Sequence, residues 1–138
     1  MHVNEIMSKR VITVVPEATL EEGARRMREW DVGILPVSED GKRVIGVVTD
    51  RDVVIRGMAD GHDPKNSSIQ QVMTPEVVCC LESQDVAEAA HLMKEKHIRR
   101  LMVLNQDSQI VGVLSLGDLA RTAGTDVAFE VLKEAASK

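Results

Sequence analysis

The sequence predicts a mixed α/β (α+β) fold: two β-α-β-β-α repeats packed sheet to sheet with pseudo-twofold symmetry. Three observations carry that expectation. The 138 residues, 43% hydrophobic and 28% charged, suffice for an ordinary core and rule out disorder. Shifting the chain by 66 residues aligns 7–52 with 73–118 without a gap, and eleven of the 46 pairs are identical where about three arise by chance. Each copy also carries the same succession of a β-rich run, a helical apolar stripe and two further β-rich runs.

The first strands are expected at Val11–Val15 and Val77–Leu81. A helix follows in each copy, opened by Thr19 with Glu22 and by Asp85 with Glu88, both at capping-box spacing. Leu20, Ala24 and Met27, then Val86, Ala90 and Met93, form their apolar stripes. Hairpin strands are predicted at Ile34–Val37 with Val44–Thr49, and at Leu101–Leu104 with Ile110–Ser115. The first turns at Asp40-Gly41 and the second at Gln106-Asp107-Ser108. Second helices begin near Asp50 and Leu116, and 126–136 adds a C-terminal helix with Val127, Val131 and Leu132 on one face. The linker is Gly61-His-Asp-Pro64 with Asn66-Ser-Ser68, which divides the chain into 1–65 (core 7–60) and 66–138 (core 73–122).

Composition excludes several functions. A net charge of −5 and only Trp30 and Phe129 as aromatics argue against nucleic-acid binding, which needs a basic footprint or stacking platforms. No apolar run reaches membrane length, and the start lacks a basic region followed by an apolar one, so a cytoplasmic location is expected. Cys79 and Cys80 read as free thiols, and four scattered histidines without CxxC give no metal site. Nucleophile-elbow, phosphate-loop, zincin and dinucleotide motifs are missing, and Asp50 with Asp52 has no evident acid–base contrast, so no enzyme is expected.

The sharpest local feature ends the third strand of each copy: Gly46-Val-Val-Thr49-Asp-Arg-Asp52 and Gly112-Val-Leu-Ser115-Leu-Gly-Asp118. Glycine permits close approach of a backbone or a ligand. A hydroxyl at a helix start caps the helix or holds a ligand oxygen, and a carboxylate one turn in accepts from a ribose diol. Thr or Ser with Asp three residues on is equally good helix-start chemistry. From the residues alone both readings stand.

With these motifs, Met7-Ser and Met73-Thr at the repeat starts, Gly33-Ile-Leu-Pro-Val37 and Ile98-Arg-Arg-Leu-Met-Val103, the chain resembles a tandem cystathionine-β-synthase (CBS) domain pair, or Bateman module. Thr49-Asp-Arg-Asp52 is typical of its small stand-alone prokaryotic members. The resemblance implies a regulatory module, with no cofactor, that binds AMP, ADP or ATP in clefts between the repeats. Cleft A would join Thr49 and Asp52 to Val78, Cys79, Cys80, Ile98, Arg99 and Arg100. Cleft B would join Ser115 and Asp118 to Ile12, Thr13, Val14, Val32, Gly33 and Ile34, with Arg51 in reach. Asp would hold the ribose, aliphatic residues the adenine, and the Arg99–Arg100 pair the phosphate. Met102 stands where the family commonly has the proline matched by Pro36. A homodimer and a protein partner that reads the ligand state are implied. The alternatives are an interaction module without nucleotide, or one that takes S-adenosylmethionine or a dinucleotide.

Overall fold

The computed structural model describes residues 1–122 and 125–136, and the chain divides into two compact units. One is Ile12–Val77; the other joins Met1–Val11 to Val78–Lys138. The architecture is mixed α and β, with helices around two small sheets. The units are offset from the sequence repeats, because the opening arm of each repeat packs on the body of the other. Ser8 N–H donates to Val113 O at 2.9 Å, and Val113 N–H returns the bond at 3.0 Å. Thr74 and Val47 exchange the matching pair at 2.8 and 2.9 Å. Val3 of the first arm is fully buried in the core of Cys80, Met93, Leu101 and Leu114, while Ile69 and Val72 of the second lie in that of Leu20, Leu35 and Val48.

In the unit Ile12–Val77, β1 (Ile34–Val37) pairs antiparallel with β2 (Gly46–Thr49). In the other, β3 (Cys79–Leu81) runs parallel to β4 (Arg100–Leu104), which pairs antiparallel with β5 (Ile110–Ser115). The strand expected at Val11–Val15 shrinks to one bridge, Val14 to Val37. Proline explains the loss. The parallel ladder of β3 with β4 is framed by Met102 N–H to Val78 O and Glu82 N–H to Leu104 O, at 3.2 and 2.9 Å. The residues that match those two donors in the first repeat are Pro36 and Pro16, which carry no N–H. Only the inner bonds survive, Val14 N–H to Pro36 O and Ser38 N–H to Val14 O.

Helix α1 (Leu20–Trp30) has the predicted capping box, Thr19 Oγ1 accepting from Glu22 N–H and Glu22 from Thr19 N–H. Its buried stripe is Leu20, Gly23 and Met27 rather than one through Ala24, which is exposed; Ile69 of the docked arm fills the space beside Gly23. Helix α2 is Asp50–Asp52 and continues as a π-helical turn, Val53–Met58. Helix α3 (Val86–Lys96) is capped differently from the expected box. Asp85 accepts from Ala87 N–H, and Glu88 instead accepts from the Gln84 amide. Helices α1 and α3 both end on a left-handed residue, Asp31 (φ 52°) and His97 (φ 57°).

Asp40 organises the first hairpin turn. Bonds from Arg43 N–H, Lys42 N–H and the Ser38 hydroxyl hold its carboxyl down to about 2. Gly41 follows at φ 78°. Helix α4 (Leu116–Thr122) leads to α5 (Thr125–Ala136), which packs on α3 and α4. Val131 and Ala128 are the buried residues of α5, with Val127 against the same core, whereas Leu132, expected on that face, is exposed.

Both thiols are held protonated. Burial pushes Cys79 upward, and burial with the neighbouring Cys79 pushes Cys80 up to about 11. The folded chain therefore retains a proton that the unfolded chain releases. The resulting stabilisation is complete below the ordinary value of 9.0 and is lost as pH rises through about 11. Urea midpoints of wild type and Cys80→Val at pH 9 and pH 11 should show wild type losing ground to the variant on alkalinisation. A second test concerns the arms. A Cβ on Gly112 would collide with Met7 Sδ and sit 2.9 Å from Ser8 O. Gly112→Ala should cost about 1–3 kcal/mol, read as a lower urea midpoint.

Candidate functional site

The two glycine-to-aspartate segments fold alike. Each glycine faces an arm and not an open space: a Cβ on Gly46 would meet Thr74 O at 2.9 Å, as one on Gly112 would meet Ser8 O. Three residues on, β2 ends at Thr49 with extended backbone, so its hydroxyl turns toward the first turn of α2. Thr49 Oγ1 accepts from Asp52 N–H, and Thr49 N–H donates to Asp52 Oδ2, both at 3.0 Å. Ser115 and Asp118 repeat this at 2.8 Å (Ser115 N–H to Asp118 Oδ2) and 3.2 Å (Asp118 N–H to Ser115 Oγ). Each carboxylate thus spends one oxygen on its own helix start and has the other left to bind something else.

Those second oxygens differ. Asp118 Oδ1 accepts a hydrogen bond from Arg121 Nη2, and the Asp118 side chain is only 8% exposed. Asp52 Oδ1 has Arg56 Nε no nearer than 3.9 Å, while the Arg56 guanidinium reaches toward Met73 O at 3.4 Å. Sequence reasoning missed Arg56 and Arg121. Their i,i+4 and i,i+3 spacing from the aspartates was the available signal.

The flanking candidates sit beside these motifs on the ladders. Ile34 lies opposite Thr49, and Gly33 O accepts from Asp50 N–H at 3.0 Å. Arg100 lies opposite Ser115, and Arg99 O accepts from Leu116 N–H at 2.8 Å. Val32 and Ile98 donate back to Met27 and Met93 just beyond the left-handed caps. Arg51, Arg99 and Arg100 are exposed. Val14 is buried, Ile12 and Thr13 are half-buried, and Arg26 Nη1 donates to Thr13 O at 2.6 Å. Val78 O and the β3 residues Cys79 and Cys80 belong to the ladder with β4.

Thr49, Asp52, Arg51, Ile12–Val14 and Val32–Ile34 therefore fall in the unit Ile12–Val77, whereas Ser115, Asp118, Val78–Cys80 and Ile98–Arg100 fall in the other. Each cleft expected from the sequence draws on both units. A groove of about 500 Å³ lies elsewhere on the first unit and takes in only Thr13 and Val14 of these residues, alongside Arg25, Arg26 and Asp40. Among the described residues no cluster of His, Cys, Asp and Glu has the form of a metal site. No helix among them is long and apolar enough to cross a membrane.

The CBS domain family model matches this chain twice, over residues 3–57 and 69–124. The chain is 37% identical over 118 residues to the CBS domain-containing protein YhcV of Bacillus subtilis, covering 86% of this chain and 82% of that protein. Hypoxic Response Protein I, solved with two coordinated zinc ions, superposes with a TM-score of 0.78 at 31% identity, over 88% of this chain and 98% of its own. CBSX2 of Arabidopsis thaliana, solved in complex with AMP, superposes at 0.75 with 27% identity, over 88% and 95%. With two matched copies that span most of its length, the chain belongs to the CBS domain family.

Proposed function

We propose that this protein is a regulatory module that binds an adenosine nucleotide between its two CBS repeats and passes the ligand state to a partner protein. The observation that carries the reading is the duplicated carboxylate, Asp52 and Asp118, each fixed by its hydroxyl neighbour through one oxygen. A carboxylate so oriented can turn its second oxygen to the hydroxyls of a ribose, and the AMP complex of CBSX2 supports that ligand class. In cleft A, Asp52 would hold the ribose with Thr49 beside it. Val78, Cys79, Cys80 and Ile98 would grip the base, and Arg99 and Arg100 would meet the phosphate. In cleft B, Ser115 and Asp118 would act with Ile12, Thr13, Val14, Val32, Gly33, Ile34 and Arg51. Aliphatic clamping of adenine suits a chain with two aromatics. The module would act as a non-catalytic homodimer in the cytoplasm, and ligand would move it only through unequal affinity for its two states.

The reciprocal Thr49–Asp52 bonds are also a complete capping box, and this favours a second reading: an interaction module whose carboxylates serve only the helix starts. Asp52→Asn separates the two, since its amide oxygen keeps the bond from Thr49 N–H while its NH2 replaces an acceptor of ribose hydroxyls. A thermal-shift panel of AMP, ADP, ATP, adenosine, S-adenosylmethionine, NAD and GTP is the test. At about 100 times its dissociation constant the ligand adds about 2.7 kcal/mol, several degrees for a domain of this size. The shift should appear with a phosphorylated adenosine compound, shrink in Arg99→Ala and Arg100→Ala, and vanish in Asp52→Asn. A flat panel favours the interaction module instead.

A further inference from the structure

We propose that Arg121 is an internal occupant of the second carboxylate, so that the chain at rest offers one open ribose acceptor, Asp52, and one closed by its own side chain, Asp118. The inference rests on the nucleotide reading above and asks which of the two carboxylates is available. Asp118 has both oxygens engaged: Oδ2 accepts from Ser115 N–H and Oδ1 from Arg121 Nη2. Its side chain is 8% exposed, whereas that of Arg121 is 70% exposed and so free to leave without unfolding anything. The guanidinium folds back across the start of α4, where a Cβ on Gly117 would lie 3.3 Å from Arg121 Nη1. The glycine leaves room for that fold-back.

The first repeat lacks both parts of the device. Gly117 is matched by Arg51, and Arg121 is matched by Ile55, an exposed apolar residue with no group to offer a carboxylate. Arg56 stands one residue later in the helix, forms a 3.9 Å ion pair with Asp52 Oδ1 and no hydrogen bond to it, and donates to Met73 O. A ribose diol therefore meets at Asp52 an acceptor oxygen held only by a 3.9 Å ion pair with Arg56, and at Asp118 a direct hydrogen bond that must first be broken. Arg121 thereby sets stoichiometry: the first ligand binds at Asp52, and a second binds only when something draws the arginine away.

Calorimetric titration with AMP as the probe tests this. Wild type should bind one AMP per chain. Arg121→Ile, which installs the residue of the first repeat, should raise the stoichiometry to two. Asp52→Asn should abolish binding at the same concentrations, and Asp52→Asn combined with Arg121→Ile should restore one site. The reciprocal variant, Arg51→Gly with Ile55→Arg, builds the closing arginine into the first repeat and should weaken AMP there by tenfold or more. Two sites in wild type, or one site in Arg121→Ile, would overturn the proposal while leaving the nucleotide reading intact. No AMP binding in any of the five proteins would overturn both.

Discussion

Two reciprocal backbone pairs, Ser8 with Val113 and Thr74 with Val47, hold an arm of each repeat against the body of the other. Each pair depends on a glycine one residue away on the neighbouring strand, Gly112 or Gly46, because any Cβ there would strike arm backbone at 2.9 Å. Much else depends on that approach. Once docked, the arms deliver Val3 to one core and Ile69 and Val72 to the other. The arms also fix the strands that end at Thr49 and Ser115, and those hydroxyls orient the two aspartates. A chain of contacts thus runs from a missing methyl group to the carboxylates.

The two halves use this common frame unequally. Asp52 and Asp118 make the same reciprocal pair of bonds with the hydroxyl residue three positions earlier. What differs is the side chain one turn further along each helix, where one repeat has isoleucine and the other arginine. Duplication has kept the part of the motif that folding needs and let the outer face diverge.

The repeat, its mixed α and β character and the aspartate motifs were legible in the sequence because each leaves a local pattern of spacing and residue type. The first strand was overread at Val11–Val15: its β-rich composition says nothing about whether the neighbouring strand can donate, and Pro36 cannot. The box at Asp85 failed for a similarly local reason, since Gln84 engages Glu88 and Asp85 bonds one residue earlier. The exchange of arms left no local trace at all. Residues at a constant offset of 66 produce the same pattern whether an arm folds onto its own repeat or onto the other, so only long-range pairing distinguishes them.

That exchange has a consequence for how such a molecule is put together. The chain passes between its units at just two places, 11/12 and 77/78, and a cut at the repeat boundary 65/66 falls inside the unit Ile12–Val77, parting Ile69 and Val72 from the core they complete. A polypeptide with one copy would own an arm and a body with no way to complete itself. It could build this unit only by lending its arm to a second chain and borrowing one in return. Fusing two copies turns that loan between molecules into a fold within one, with the arm always present at the high effective concentration of a tether.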